Sequence, residues 1–220
     1  MKRKQQLVVI GKYVKRYFAE FQQPGYQFHN FKRTKAIISA VEKLLKKTTL
    51  TEDDQFILLT AAWFREIDLA TNKDGRRLSA SGIAKNLLIS QQTDPALIEK
   101  VQELIMVTEE TAPVDKALPS IMLDALYAYA GKKSFEALTG KLRRETEKVK
   151  EKKVSKIAWL TETYEWMGLF HYRTDRARSL WEKGFQKNLS KAKLALNKIS
   201  VPADLVTPKK KDRRTDEGIC

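Results

Sequence analysis

Apolar residues recur at intervals of three and four along most of this chain, and this spacing constrains the fold more than any other feature. In the first segment Leu7, Ile10, Val14, Phe18 and Phe21 follow it, and basic residues fall between them. Such a period places side chains on one face of an α-helix. Only 9 Gly and 6 Pro interrupt the chain, and no alternating strand pattern of useful length occurs. The sequence therefore predicts an all-α fold.

The first segment has two interpretations. Aromatic residues at helical spacing usually pack inward, so we expect a helix that faces the core. Its many lysines also fit a basic helix that lies on a membrane surface. The aromatic spacing favours the core-facing helix, and the membrane-surface helix is the alternative.

Capping signals predict where several helices begin. Thr51 followed by Asp54 has the form of a capping box. Asp94 followed by Pro95 has the residue types that favour a cap and a first helical position. Thr174 is expected to cap a last helix that ends near residue 197.

Two of the predicted helices are long. One begins after Thr51 and continues to about Ala70, through the segment "AAWFREID". The other runs from Ser134 to about Met167 and contains "KLRRETEKVKEKKVSK". We interpret that charged segment as an exposed face with ion pairs between its own residues.

The domain organisation follows from length and composition. The chain has 220 residues, which suffices for one domain over residues 1–200, and residues 201–220 lose apolar periodicity and are predicted to be a disordered basic tail. No apolar run is long enough to span a membrane, and the start of the chain does not have the pattern of a secretory signal. The single cysteine, Cys220, leaves no intramolecular disulfide, so we expect a cytoplasmic protein.

Charge and motifs limit the classes of function. The net charge of +15 indicates attraction to an anionic partner: nucleic acid, a nucleotide or a membrane surface. Walker, GxGxxG, HExxH and GxSxG motifs do not occur, and His29 and His171 are the only histidines. A histidine-rich metal centre is therefore excluded. No specific nucleic-acid motif is present, because the aromatic residues follow the apolar stripes.

Five segments occur in a suggestive order: "FHNFKRT", "AAWFREID", "RRLSASGIAKNLL", "VQELIMVTEE" and "IMLDALYAYAG". Together they resemble the HD-domain metal-dependent phosphohydrolases, whose motifs read YHNxxHT, AALFHDIG and DADLxxLG. The resemblance covers about residues 1–200. It implies an HD-like helical bundle and, in the family, one or two divalent metals held by His and Asp side chains.

The matched positions differ from the family motifs where the family has its metal ligands. His29 keeps the first ligand and Asp124 keeps the distal one. The second His of the opening motif falls on Arg33, and the central His-Asp pair falls on Arg65 and Glu66. A guanidinium has no lone pair to donate and stays charged at working pH.

The resemblance therefore implies a degenerate site. Three ligands at most remain, His29, Glu66 and Asp124, with a positive charge among them. We expect no bound metal or other cofactor, and weak hydrolysis or none. The alternative is an active phosphohydrolase that uses Mn, Mg or Fe on nucleotides or phosphoesters.

The basic residues at the site have two main interpretations. In the structural one, Arg65 pairs with Asp124 across the core and replaces the charge of the lost metal. In the functional one, a regulatory domain binds a nucleotide or other phosphate-bearing ligand without cleaving it, or binds a protein partner. The side chains expected to line that pocket are Arg33, Arg65, Lys73, Arg76 and Arg77.

A second resemblance concerns the end of the chain. Through "RSLWEKGFQKNL" and the basic linker "KKKDRRTDEGI", the chain resembles the soluble N-terminal part of HD-containing Pycsar-type membrane effectors of bacterial cyclic-nucleotide anti-phage defence. This resemblance implies a membrane-proximal protein whose chain is cut at Cys220; the alternative is a complete cytosolic protein, as a monomer or an oligomer. The side chains that would face an anionic membrane are Lys209, Lys210, Lys211, Arg213 and Arg214.

Overall fold

The computed structural model is an all-α helical bundle, as the periodicity predicts. It describes residues 2–46, 48–71, 79–108, 111 and 116–200, and these contain no β-strand. The helices are α1 (Arg3–Phe21), α2 (Phe31–Leu45), α3 (Glu52–Phe64), α4 (Ile67–Thr71), α5 (Ala80–Ser90), α6 (Pro95–Met106), α7 (Ala117–Tyr127), α8 (Phe135–Val149), α9 (Lys156–Leu169) and α10 (Asp175–Ser200), with a 3-10 turn (Ala128–Gly131) after α7.

The predicted helix starts are confirmed. The Thr51 hydroxyl accepts from the Asp54 N–H, and the Asp54 carboxylate accepts from the Thr51 N–H, which completes a capping box. The Asp94 carboxylate caps α6 ahead of its initial proline. The Thr174 hydroxyl accepts from the Ala177 N–H at the start of α10.

Helix α3 is the centre of the bundle. It packs against α1, α2, α5, α6 and α7, and it has buried side chains on nearly every side, from Phe56 to Phe64. A helix surrounded in this way needs apolar residues all round, which explains why "FILLTAAWF" lacks a polar face. Helix α1 turns Ile10, Val14 and Phe18 to this core, which confirms the core-facing interpretation of that face.

Both long predicted helices are wrong as single helices. The first ends at Phe64 and resumes as α4, so Arg65 and Glu66 lie in the break between two helices. The second divides into α8 and α9. The Glu147 side chain accepts from the Val154 N–H, and Glu151 has a positive φ of 50°, so the chain turns between them.

In the part of the chain that the structure describes, no helix combines the length and apolar character needed to cross a bilayer. The expectation of a disordered basic tail over residues 201–220, with Lys209, Lys210, Lys211, Arg213 and Arg214, lies outside the described residues.

Candidate functional site

A buried carboxylate on α8 holds the segment that precedes α2. One Glu145 oxygen accepts from the backbone N–H groups of Phe28, at 2.7 Å, and His29, at 3.1 Å. The other contacts Nδ1 of the His29 ring. Because a carboxylate accepts only, this contact orients the imidazole with its Nδ1 proton towards Glu145.

Sequence analysis missed Glu145, since it placed the surrounding segment on an exposed face; the side chain is buried. A signal for this was present. Phe135, Leu138, Leu142 and Glu145 follow one another at steps of three and four, so Glu145 continues the apolar stripe of α8 rather than its polar face.

Arg33 on α2 forms an ion pair with Glu66 in the break after α3. Its Nε lies 2.8 Å from a Glu66 oxygen, and its Nη2 donates to the Leu126 carbonyl at 3.2 Å. The guanidinium carbon lies 4.1 Å from the ring centre of Phe28 and 4.9 Å from that of Tyr129. The side chains of Arg33 and Glu66 are only 13% and 3% exposed, so this pair is shielded from water.

The two pairs meet at His29. Its Nε2 lies 3.9 Å from the Glu66 oxygen that Arg33 also contacts. His29, Arg33, Glu66 and Glu145 therefore form one continuous set of charged and polar side chains, which we call the His29 cluster. It joins α2, α8 and the break between α3 and α4.

Asp124, the third of the ligands that the family resemblance leaves, has a different environment. It is fully buried on α7, and its carboxylate accepts from the Arg173 and Thr174 N–H groups, both at 2.8 Å, and from the Thr174 hydroxyl at 2.6 Å. Burial raises the pKa of Asp124, and these hydrogen bonds act against that shift. We call this arrangement the Asp124 cap, because it fixes the residues that precede α10.

The expected ion pair between Arg65 and Asp124 does not form. Arg65 Nη1 donates instead to the Ile105 carbonyl in the last turn of α6. Both Asp124 oxygens accept hydrogen bonds from Arg173 and Thr174. Arg65 lies at the C-terminal end of α3 and contacts α6 instead. Burial lowers the pKa of Arg65, and the charges of Glu66 and Asp68 oppose that shift.

The predicted phosphate-binding side chains do not converge in the described part of the molecule. Arg33 is held inside the His29 cluster, and Arg65 is held at the end of α6. Lys73, Arg76 and Arg77 lie outside the described residues.

Sequence analysis also missed Lys132, which follows the 3-10 turn. This side chain is half-buried, and its ammonium has no ion pair or side-chain hydrogen bond among the residues described. Burial lowers its pKa, and the nearby charges of Lys43 and Arg33 lower it further. No sequence pattern distinguishes this lysine from its exposed neighbours.

The donors for a metal ion are divided between the two regions. His29 Nε2 and Glu66 face each other, while Asp124 hydrogen-bonds to residues 173 and 174. In residues 2–46, 48–71, 79–108, 111 and 116–200, no three His, Cys, Asp or Glu side chains are grouped so as to hold a metal. The expectation that no metal binds stays a prediction.

Comparison with known proteins adds no family assignment: no protein-family model, curated protein or solved structure matches this chain. The resemblance to HD-domain phosphohydrolases therefore rests on the motifs quoted above and stays a hypothesis.

Proposed function

We propose that this protein is a regulatory domain, non-catalytic or weakly catalytic, that binds a nucleotide or other phosphate-bearing ligand. The observation that carries the proposal is the half-buried ammonium of Lys132, which has no ion pair or side-chain hydrogen bond among the described residues and whose pKa is lowered by burial and by the charges of Lys43 and Arg33. Glu66 already compensates the charge of Arg33, so the uncompensated charge is that of Lys132, and a cation partly removed from water is unfavourable until an anion joins it. A phosphate group supplies that charge and accepts several hydrogen bonds.

The His29 cluster supports the non-catalytic part of the proposal. A metal-dependent hydrolase needs free carboxylate and imidazole lone pairs around its metal. Here the Arg33 guanidinium neutralises Glu66, so this carboxylate is already paired with a cation, while the Glu145 contact on Nδ1 leaves the Nε2 lone pair of His29 free. The cluster is therefore suited to stabilise the fold beside the proposed ligand site.

Thermal denaturation with inorganic phosphate, linear nucleotides and cyclic nucleotides tests the proposal. Ligand at about ten times its Kd stabilises a protein by about 1.4 kcal/mol, which raises the Tm by about 3–6 °C for a chain of this size. Lys132→Met removes the charge and keeps the apolar stem, so we expect it to abolish the shift without lowering the Tm of the free protein. Lys183→Met, at an exposed position on α10, is the matched control and should keep the shift.

Two results would contradict the ligand site. The first is the absence of any shift at millimolar ligand, and the second is a shift that Lys132→Met retains in full. A lower Tm of free Lys132→Met would assign the lysine a structural role instead.

The alternative is an active phosphohydrolase that uses Mn, Mg or Fe. The approach of His29 Nε2 to Glu66 is the observation that favours it, because these groups are ordinary ligands for such ions. Metal analysis of protein purified with manganese, combined with assays on nucleotides and generic phosphoesters, separates the two functions. Stoichiometric metal with turnover that His29→Ala abolishes would establish the enzyme.

The wider setting is also a proposal. A nucleotide-binding role in anti-phage signalling, in the cytoplasm or next to a membrane, accords with the two resemblances and with the charge of +15. Binding to vesicles with and without anionic lipid, before and after neutralising the five basic residues at 209–214, tests the membrane part alone.

A further inference from the structure

An apolar groove runs between α1, α2 and α3, and its lining contains no residue of the His29 cluster. Its volume is about 440 Å³. The residues that line it are Lys4, Leu7, Val8, Gly11, Lys12, Lys15, Ile38, Glu42, Leu59 and Trp63. The apolar members other than Val8 form the floor, and the exposed Val8 and the charged members form the edges.

The Trp63 indole is the fixed part of the floor. A Cβ on Gly11 would lie 3.0 Å from the Trp63 ring carbon Cζ2, so the indole rests directly on the α1 backbone. On α2, Phe31 stacks on the same ring system, with centroids 6.2 Å apart and an angle of 22° between the planes. Val8, beside the groove, is 52% exposed. The floor is therefore a partly exposed apolar surface that is packed against the α1 backbone and Phe31.

The edge on α1 is positively charged and uncompensated. Lys4, Lys12 and Lys15 are exposed, and none has an ion pair or side-chain hydrogen bond among the described residues. By contrast, Arg3 on the same helix pairs with Asp53 at 2.8 Å. Glu42 is the one acidic residue in the described lining, so the groove as a whole attracts negative charge.

We infer that this groove docks an acidic amphipathic helix of a partner protein. From Lys4 to Lys15 the α1 edge extends over about three helical turns, or roughly 16 Å. A helix of similar length places an apolar stripe on the floor and carboxylates beside the lysines, which is the helix-in-groove mode of recognition. The apolar contact supplies affinity, and the lysines select the sign of the partner's charge.

Other occupants fit less well. A second copy of this chain would bring a net charge of +15 towards the three exposed lysines of the α1 edge. A flat bilayer cannot reach a floor that lies between helices, although its anionic headgroups would attract the same lysines. The phosphates of a nucleic acid would use the lysines and leave the apolar floor uncovered.

Binding of two synthetic peptides tests the inference. One is a helical peptide of about four turns with a leucine stripe flanked by glutamates, and the other has lysine in place of each glutamate. Titration into the full chain should show saturable binding of the acidic peptide only. Replacing Lys4, Lys12 and Lys15 together by Glu should weaken it at least about tenfold, which corresponds to about 1.4 kcal/mol.

The matched control replaces Lys183, Lys187 and Lys191, exposed on α10, by Glu and makes the same change in net charge. This control should bind with little change, whereas Val8→Asp, at an exposed edge position, should weaken binding with the lysines intact. Equal binding of both peptides, or equal losses in both triple variants, would overturn the inference. Vesicles with anionic lipid that bind with the same lysine dependence, while the acidic peptide does not bind, would assign the surface to a membrane instead.

The groove and the proposed phosphate site are separable in these experiments. The α1 variants should leave any nucleotide-induced shift in Tm unchanged, and Lys132→Met should leave peptide binding unchanged. Failure of either proposal therefore leaves the other standing.

Discussion

The His29 cluster and the Asp124 cap each bury carboxylates, yet they neutralise them in different ways. In the His29 cluster, a cation from another helix faces Glu66, and a histidine and backbone N–H groups face Glu145. In the Asp124 cap, one carboxylate accepts from two backbone N–H groups and one hydroxyl. The first arrangement depends on a partner charge, and the second depends on the position of a short stretch of main chain.

This difference changes what the family resemblance implies. The motif alignment places His29, Glu66 and Asp124 around one metal. The structure places His29 and Glu66 in one region, whereas the Asp124 carboxylate accepts a hydrogen bond from the Thr174 N–H at the start of α10. A guanidinium does lie against a carboxylate at one of the aligned positions, but it belongs to Arg33 and faces Glu66.

The largest effect is expected at the Asp124 cap. Asp124→Ala leaves two N–H groups and one hydroxyl without their acceptor and loosens the attachment of α10, so we expect a loss of about 4 kcal/mol in the free energy of unfolding. Urea denaturation measures this loss. Asp124→Asn keeps one acceptor oxygen and should lose clearly less; an equal loss would mean that the charge matters more than the acceptor geometry.

A smaller but still large effect is expected in the His29 cluster. Arg33→Met leaves Glu66 buried without its cation and should destabilise the protein by about 3 kcal/mol. Adding Glu66→Gln removes the unpaired charge and should recover most of that loss. If the double variant is as unstable as the sum of the single ones, Arg33 and Glu66 are not coupled and the proposed role of the pair is wrong.

Arg65 belongs to neither region, so its substitution tests whether it contributes to the neutralisation of Asp124. Its hydrogen bond to the Ile105 carbonyl is one contact of a half-buried side chain. Arg65→Ala should therefore cost about 1 kcal/mol, and its effect should add to that of Asp124→Asn. A loss as large as that of Asp124→Ala, or strong coupling between the two sites, would restore the Arg65–Asp124 pair inferred from the sequence.

The smallest effect is a pH dependence from Asp124. Its pKa is raised on folding, mainly by burial. The protonated form is thus favoured in the folded state, and the stability from Asp124 is full below the unfolded pKa and is lost as pH rises through the folded one. The free energy of unfolding of wild type, relative to Asp124→Asn, should fall from about pH 4 upwards. A difference that stays constant with pH would show that hydrogen bonding balances burial, and one that rises with pH would show that hydrogen bonding outweighs burial.

Much of the local structure was predictable from neighbouring residues. The capping box at Thr51 and the Asp94–Pro95 start depend on side chains that bond within a few residues. The two helix breaks were not predictable, since apolar periodicity continues across Arg65 and helix-forming residues continue across 150–155. Those breaks are fixed by contacts such as Glu147 with the Val154 N–H.

In the candidate sites too, features set by neighbouring residues were predictable, and features set by distant residues were not. The sequence alone determined the all-α class and the core-facing stripes, because periodicity and capping act over one or two helical turns. The pairing of Arg33 with Glu66, the contact of Glu145 with His29 and the anchoring of α10 by Asp124 depend on how the helices pack together. These partners are 33, 116 and 49 positions apart. A buried charge takes whichever compensating group the packing brings within reach, and that choice is not encoded in the spacing of nearby residues.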